Sequence, residues 1–402
     1  PIVVPEGRTL TVNCELKIKN ATTVDISSNV TAGDTVINVA SVDGFHAGEW
    51  VCLSDDDQTL QGGSTGQTRR RAHAAIISEV GESTITIDRA CIYNLATASN
   101  AKLGHNQSVI LLDNKNNVTI NGTGVINGNW QNQYDVEPYN ASGEEVRAYC
   151  GISIFESNGC NVKGTETNHL TFRNAGMHSV AIRGNTAKTK GNNNTVQYVT
   201  SWKAHDKGVL AYYTDGTIIR NYVGKYSIFE DGITIYQHNT NYTIEDVNVI
   251  MNNRTGIALG GAENSGTSVV NRINALSDNI LISSFGLTAT DLTLRGDYAI
   301  MYISSSGAAL SGLTLNNLTF DMCSGGNTYI LKIVGNVSNI AINEMEINGC
   351  VATNGIEADD YSSDGNFPQN VTITGGGIYN GAITNKTIID ASADVTITDF
   401  DG

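Results

Sequence analysis

The chain of 402 residues is poor in charge, in proline and in long apolar runs. Charged residues make up 16% of it, against an average near ~25%, and only 4 residues are proline. So little proline excludes a collagen or a proline-rich linker protein. No apolar run approaches the ~18 residues of a membrane-spanning helix. The net charge of −16 disfavours nucleic acids and anionic membranes as partners, because both require a basic face.

Cysteine is sparse and unpatterned. The 7 cysteines contain no C-x-x-C pair, and an odd number without that motif disfavours both a disulfide framework and a zinc site. We therefore expect buried thiols. The chain begins with Pro1-Ile2-Val3-Val4-Pro5, without the basic and apolar regions of an export signal, and this is typical of a mature or trimmed end.

Helical periodicity is also nearly absent, and short β-branched runs recur instead. One series of runs lies at residues 180–182, 209–211, 233–235, 257–259 and 280–282, with successive spacings of 29, 24, 24 and 23 residues. A second series interleaves with it at residues 170–172, 196–198, 218–220, 244–246 and 269–271. A β-strand period inside a repeat of about two dozen residues is typical of a solenoid.

These repeats predict an all-β fold, a right-handed parallel β-helix of about a dozen coils that stack at ~4.8 Å. We assign residues 104–402 to this β-helix. Residues 34–39 and 83–88 instead alternate apolar and polar side chains, as in antiparallel strands with one solvent-exposed face. We therefore predict that residues 1–103 form an N-terminal cap, because the open end of a β-helix would otherwise expose strand edges. The alternative is a small β domain inserted on the first coils.

Stacked coils place equivalent residues in columns, and two columns concentrate the polar and aromatic groups of the chain. One outward column is predicted to contain Phe155, Arg183, Tyr212, Tyr236 and Gly260. The corner that precedes the same strands contains His178, Lys207, Asp231 and Thr255, with Asp206, Glu230 and Arg254 beside them and His205 and His238 near in sequence. The simpler interpretation is a ladder of ordinary surface residues.

Exposed aromatic rings beside polar groups suit sugar rings, whose faces are apolar and whose rims are hydroxylated. We therefore predict a polysaccharide-binding groove. The residues expected to hold the sugar are Arg183, Lys207, Tyr236, Phe155, His205, His238 and Arg254.

Two kinds of chemistry fit these residue types. Hydrolysis needs a carboxylic acid and a carboxylate, ~6.5–9.5 Å apart in inverting enzymes, and Asp206, Glu230 and Asp231 are the candidates. Elimination or C5 epimerisation of a uronate needs a cation, a base and a proton donor. Arg183 or Lys207 would supply the cation. His178 or His205 would be the base, and Tyr212 or Tyr236 the donor.

Several segments resemble known β-helix enzymes. Residues 117–128, NVTINGTGVING, are similar to an early coil of polygalacturonase-type glycoside hydrolases. Residues 229–233, FEDGI, resemble the coil that carries that family's paired aspartates, with Glu230 in place of the first one. Residues 205–208 and 254–260 resemble the neighbouring coils, although Lys207 stands where the family has Asp. The resemblance implies a pectin-lyase-like β-helix and glycosidic-bond hydrolysis.

Residues 178–183, HSVAIR, resemble in register the active-site strand of mannuronan C5-epimerases and β-helix lyases. Phage tailspike depolymerases share the same rod. We therefore expect a secreted or virion-associated enzyme that acts on a polysaccharide, by hydrolysis or by uronate elimination or epimerisation. A third interpretation is a glycan-binding fibre without catalysis. A phage-type protein would form homo-oligomers.

No cofactor is expected to be required, and we expect no metal at the candidate site. Asp55-Asp56-Asp57 offers hard oxygen ligands of the kind that Ca²⁺ prefers, but a solvated loop is the simpler interpretation. Cys323 and Cys350 are 27 residues apart, a spacing that allows them to stack on adjacent coils.

Overall fold

The computed structural model describes residues 1–58, 70–134, 136–139, 149–185, 191–260, 267–284, 286–324, 328–360 and 365–401. Its regular structure is almost entirely strand. The first strands are β1 Ile2–Val3, β2 Thr9–Thr11, β3 Glu15–Lys17, β4 Thr23–Asp25, β5 Val36–Asn38, β6 Trp50–Ser54, β7 Arg71–Val80, β8 Thr84–Ile87, β9 Lys102–His105, β10 Ile110–Asp113, β11 Thr119–Asn121, β12 Val125–Asn127 and β13 Glu137–Tyr139. Two 3₁₀ turns lie at Thr97–Ser99 and Trp130–Asn132.

The middle of the chain carries the strands of the repeating region. They are β14 Ile152–Phe155, β15 Asn161–Lys163, β16 Leu170–Arg173, β17 Val180–Arg183, β18 Gly191–Asn192, β19 Thr195–Trp202, β20 Val209–Tyr212, β21 Thr214–Asp215, β22 Ile218–Lys225, β23 Ile233–Tyr236, β24 Thr243–Ile250, β25 Ile257–Leu259, β26 Ser268–Leu276 and β27 Ile280–Ile282. Longer strands follow: β28 Leu287–Asp297, β29 Met301–Ser324, β30 Tyr329–Asn348, β31 Val351–Asp359, β32 Gln369–Tyr379, β33 Ala382–Ile389 and β34 Val395–Thr398.

Parallel pairing stacks these strands into columns. The first column runs through β1, β10, β14, β17, β20, β23, β25 and β27 and continues through parts of β29, β30, β31 and β33. A second column runs from β2 through β11, β15, β19, β22, β24 and β26 to β28 and beyond. The predicted all-β parallel solenoid is thereby confirmed. No helix in the described ranges has the length and hydropathy of a membrane span.

The core consists of the inward-facing side chains of the stacked strands. Val209, Ile233, Ile257 and Ile280 are register partners on successive strands, and each is at most 2% exposed. Alternation along each strand sends one apolar side chain inward and the next outward, so the columns join into one continuous cluster. Burial of one Val or Ile side chain contributes ~1.5–3 kcal/mol. The predicted column of buried β-branched residues is confirmed.

An N-terminal cap is not confirmed, and the strand pairing agrees instead with the alternative of a small β domain inserted on the first coils. β1, β2 and β3 pair in parallel with β10, β11 and β12, so residues 2–17 already form a coil of the solenoid. Strands β4–β9 then form a mainly antiparallel sheet in the order β4-β9-β6-β7-β8-β5, with β13 parallel to β7. This sheet has its own apolar core around Ile37, Leu53 and Ile85. It is inserted between two coils, and the predicted boundary at residue 103 does not coincide with the start of the solenoid.

Cys323 and Cys350 stack on adjacent coils, as their spacing predicts. The Cys350 Sγ atom lies 3.3 Å from the backbone nitrogen of Cys323, and both residues are buried. All 7 cysteines are free thiols, and only Cys14 is exposed.

Candidate functional site

The corner before the first strand column assembles the polar side chains of the candidate site. Because Val209, Ile233, Ile257 and Ile280 are in register, the residues two positions earlier also stack. That corner column contains Lys207, Asp231, Thr255 and Asp278, and the neighbouring positions contain Asp206, Glu230, Arg254 and Ser277. Backbone hydrogen bonds join successive corners: the Gly208 amide donates to the Asp231 carbonyl at 3.0 Å, and the Gly232 amide to the Thr255 carbonyl at 3.0 Å.

A groove of about 420 Å³ lies along this corner and the adjoining strands. It brings together most of the residues that the sequence singled out. Its lining includes His178, Arg183, Asp206, Lys207, Tyr212, Glu230, Asp231, Tyr236 and Arg254, with Met177, Leu210, Thr234, Ile235, Ala258, Gly260 and Leu281. Charged groups and apolar side chains therefore share one surface.

Lys207 holds two of the three carboxylates. Its Nζ atom lies 3.0 Å from Asp206 Oδ2 and 2.5 Å from Glu230 Oε2. Burial opposes the charge on the ammonium group, but the carboxylates of Asp206, Glu230 and Asp231 outweigh that effect and raise the pKa of Lys207. Lys207 is therefore a fixed cation at the centre of the groove.

Two further cationic or titratable groups border this pair of carboxylates. Arg254 Nη1 is 3.4 Å from Glu230 Oε2, and His178 Nδ1 is 3.5 Å from Asp206 Oδ2. The His178 side chain is only 2% exposed. Asp206 and Glu230 thus each lie beside two nitrogen-bearing groups.

Asp231 has a different environment from the other two acids. It is only 1% exposed, and its Oδ2 atom accepts a hydrogen bond of 2.6 Å from the Thr234 hydroxyl. Its Oδ1 atom has no hydrogen-bond partner among the described residues. Burial raises the pKa of Asp231 to about 6, although Lys207 and the Thr234 hydroxyl act in the opposite direction. The groove therefore combines a buried acid of raised pKa with two carboxylates that pair with Lys207.

Aromatic rings form a shelf at the other end of the same strands. This tyrosine shelf consists of Tyr212, Tyr213, Tyr236 and His238. The ring centroids of Tyr212 and Tyr236 are 5.6 Å apart, and His238 stacks on Tyr213 at 4.5 Å. Tyr236 is 47% exposed, so its ring is open to a ligand.

Tyr212 links the shelf to the charged part of the groove. The Arg183 guanidinium lies 4.3 Å from the centre of the Tyr212 ring, a cation–π contact. The Tyr212 hydroxyl donates a hydrogen bond of 2.6 Å to Gln237 Oε1. Burial is the main cause that raises the pKa of Tyr212, so the phenol stays protonated at neutral pH.

Two residues expected to hold the sugar lie away from the groove surface. Phe155 has no exposed area, because a second apolar cluster with Tyr149, Met177 and Leu210 covers the outer face of its strand. The prediction that Phe155 is an exposed groove residue is therefore wrong. His205 is 2% exposed and stacks on Trp130 at 4.1 Å, so a ligand in the groove does not contact it directly.

Two polar residues at this corner were missed from the sequence. Thr234 binds the Asp231 carboxylate. Asp278 is 3% exposed, and its two oxygens accept hydrogen bonds from the backbone and side-chain nitrogens of Asn252 at 3.0 and 2.9 Å. Burial raises the pKa of Asp278 to about 7. The step of 24, 24 and 23 residues from Val209 places Asp278 in the corner column, but Ser277-Asp278-Asn279 has the composition of an ordinary turn.

Metal ligation has no support in the described residues, which contain no group of three or more His, Cys, Asp or Glu side chains placed to hold an ion. Asp55, in the acidic run for which the sequence favours a solvated loop over a Ca²⁺ site, is only 1% exposed, and its Oδ2 atom accepts a hydrogen bond of 2.7 Å from the Ala96 amide. Asp56 pairs with Arg70 at 2.9 Å. Two carboxylates of this run therefore already have partners within the protein.

Comparison with protein-family models and with curated protein sequences gives no match. Solved structures give matches. Two mutants of the periplasmic alginate epimerase AlgG are each 12% identical to this chain, with a TM-score of 0.51, over 72% of this chain and 70% of theirs. The Gp54 tailspike of Acinetobacter baumannii bacteriophage AP22, in complex with a capsular saccharide, is 10% identical over 98% of this chain and 72% of its own, with a TM-score of 0.28. The likeness to the epimerase is one of fold, and it agrees with the parallel β-solenoid described above.

Proposed function

We propose that this chain is an enzyme that acts on a polysaccharide, and that it cleaves the glycosidic bond by hydrolysis in the groove at the corner column. The observation that carries the proposal is the state of Asp231. This acid is buried, its pKa is raised to about 6, and one of its oxygens has no hydrogen-bond partner among the described residues. A carboxylic acid that is partly protonated near neutral pH is suited to donate a proton to a leaving oxygen.

The second carboxylate of a hydrolase must stay ionised in order to activate water. Asp206 and Glu230 are the candidates for this role, because Lys207 lies within ion-pair distance of both. We assign the proton donor to Asp231 and the water-activating carboxylate to Asp206 or Glu230. His178, 3.5 Å from Asp206, would orient that carboxylate.

Sugar binding is assigned to the tyrosine shelf and the cations beside it. The exposed ring of Tyr236 and the ring of Tyr212 lie 5.6 Å apart and offer apolar faces to successive sugar rings. Arg183, Lys207 and Arg254 border the same groove and would bind hydroxyl or carboxylate oxygens. His238 would support the shelf through its stacking on Tyr213.

A second candidate is elimination or C5 epimerisation of a uronate polymer. The specific support is the pair formed by Arg183 and Tyr212, a cation beside a phenol that stays protonated. The fold likeness to an alginate epimerase agrees with it but does not assign the chemistry. A third candidate is a glycan-binding rod without catalysis. For all three, we propose an extracellular or virion-associated location, and homo-oligomers if the protein is of the phage type.

The deciding experiment incubates the protein with a panel of neutral and uronate polysaccharides. New reducing ends without an unsaturated product indicate hydrolysis. New reducing ends with the ultraviolet absorbance of an unsaturated uronate indicate elimination, and a changed uronate composition without cleavage indicates epimerisation. Binding without any change to the polymer would contradict the enzyme proposal and favour the rod.

Variants then separate the two mechanisms on one active substrate. For hydrolysis, Asp231→Asn should lower kcat by ~10²–10⁴-fold, because the proton donor is lost while the shape is kept. Tyr212→Phe should have a modest effect, since its ring still contacts the sugar. For elimination or epimerisation the order is reversed, and Arg183→Ala also removes turnover. Full activity in all three variants would contradict both assignments.

A further inference from the structure

Thr234 differs from its nearest neighbours in its column of side chains. It lies on β23 in register with Leu210 on one neighbouring strand and Ala258 on the other, and Ala181 and Leu281 continue the same outward column. Those four positions are apolar, whereas Thr234 carries a hydroxyl group and is only 4% exposed. A buried hydroxyl needs a hydrogen-bond partner.

The hydroxyl of Thr234 donates to Asp231 Oδ2 at 2.6 Å, and the two residues are three positions apart in the chain. The backbone of Asp231 is also held, because the Ser227 hydroxyl donates to its carbonyl oxygen at 3.1 Å. Both the main chain and one carboxyl oxygen of Asp231 are therefore fixed. The oxygen that remains, Oδ1, is buried and has no hydrogen-bond partner among the described residues, and Asp231 is one of the residues that line the groove.

We propose that Thr234 is a positioning residue for Asp231: it occupies Oδ2, so that the proton of the carboxylic acid is carried on Oδ1. This inference rests on the proposed function for its catalytic meaning, but the contact itself is independent of any substrate. It assigns a role to a residue that has no acid–base chemistry of its own.

The sign of the expected effect follows from the direction of the hydrogen bond. An O–H group that donates to a carboxylate stabilises the charged form, so removing it raises the pKa of Asp231. The charged and titratable groups around Asp231 are Lys207, Glu230, Arg254 and Asp278, and all of them remain in a Thr234 variant. Thr234→Val keeps the side-chain shape and removes only the donor. Thr234→Ser keeps the donor and removes a methyl group.

The test is a carboxyl ¹³C NMR titration of aspartate-labelled protein, with the Asp231 signal assigned by its absence in Asp231→Asn. We expect the midpoint of Asp231 to rise by about one pH unit in Thr234→Val, the size of a hydrogen bond to a charged group. Thr234→Ser should return it to the wild-type value. Thr200→Val, on a different strand column, is the matched control and should leave the titration midpoint of Asp231 unchanged. An unchanged midpoint in Thr234→Val would overturn the inference.

Kinetics on an active polysaccharide complete the test. Thr234→Val should lower kcat by at least tenfold and move a limb of the pH–rate profile to higher pH, and Thr234→Ser should restore both. If Asp231 is the acid, the limb that moves is the alkaline one. A shifted titration with unchanged kcat would overturn the positioning role. A wild-type protein that acts on no polysaccharide contradicts the proposed function alone, because the titration still decides whether Thr234 controls Asp231.

Discussion

Asp231 should reduce the stability of the protein at neutral pH, and its replacement by Asn should increase it. The folded state raises the pKa of this carboxyl group from 3.8 to about 6. At 1.36 kcal/mol per pH unit, ionised Asp231 therefore costs about 3 kcal/mol of folding free energy. A raised pKa means that the folded protein binds the proton more tightly than the unfolded chain. The cost is absent below the unfolded pKa, grows as the pH rises, and is complete above about pH 6.

The assay compares the free energies of unfolding of wild type and Asp231→Asn in urea, at about pH 3.5 and about pH 8. The difference between the two proteins should be about 3 kcal/mol more favourable to the variant at the higher pH. Groups that titrate in both proteins, such as Asp278, contribute nearly the same pH dependence to both free energies of unfolding, so their contributions cancel to first order in the difference. The exposed Asp43 offers a matched control, and Asp43→Asn should change stability by less than ~0.5 kcal/mol at either pH.

The result that would refute this reasoning is a variant whose relative stability does not change between the two pH values. Ionised Asp231 would then be as well accommodated as its protonated form, and its role as the proton donor would lose its physical basis. We therefore expect Asp231→Asn to be more stable than the wild type and also less active, as is common when an active-site group is held in an unfavourable environment.

Three further predictions follow from the packing and charge of the solenoid. Ile233→Ala should reduce the free energy of unfolding in urea by ~2–5 kcal/mol because it opens a cavity in the central column, whereas Ile388→Ala, at a side chain that is 41% exposed, should cost much less; equal losses would contradict the assigned column. A thiol reagent should modify 1 of the 7 cysteines in the native protein, Cys14, and the rest only after unfolding; a second rapidly reacting thiol would be inconsistent with the burial described. Lys207→Met should destabilise the protein by ~3 kcal/mol at neutral pH and by less at acid pH, because it leaves the carboxylates of Asp206 and Glu230 without their shared cation. A loss of stability that does not depend on pH in the same urea assay would instead indicate a packing defect.

The sequence predicted the repeating core well because its period is direct physical information. Val209, Ile233, Ile257 and Ile280 are separated by 24, 24 and 23 residues, and this spacing predicts that each coil contributes one strand to the column. The structure pairs these four residues in register. The first coil could not be predicted in the same way. The inserted sheet separates β1 from its partner β10 by more than 100 residues, so no period connects Ile2 with Ile110.

The site was only partly predictable, because register shows which side chains share a column but not what covers them. The outward position of Phe155 follows from alternation, yet Tyr149 and Met177 bury it from outside the coil. Lys207 and Asp231 in the corner column could be predicted as site residues, because charged side chains at that position suggest binding or catalysis. Thr234 and Asp278 act through hydrogen bonds and burial, which only three-dimensional packing reveals.

The inserted sheet also sets the order in which the chain can be assembled during translation. Strands β1, β2 and β3 are made before their partners β10, β11 and β12, which lie near residues 110–127. At ~5–20 residues per second, the ribosome needs several seconds to supply those partners. During that interval the inserted sheet, whose strands are close in sequence, can fold on its own before residues 2–17 meet these partners. The coil of residues 2–17 therefore closes onto β10, β11 and β12 only after the whole inserted sheet has been made, so the insertion delays this step of solenoid assembly.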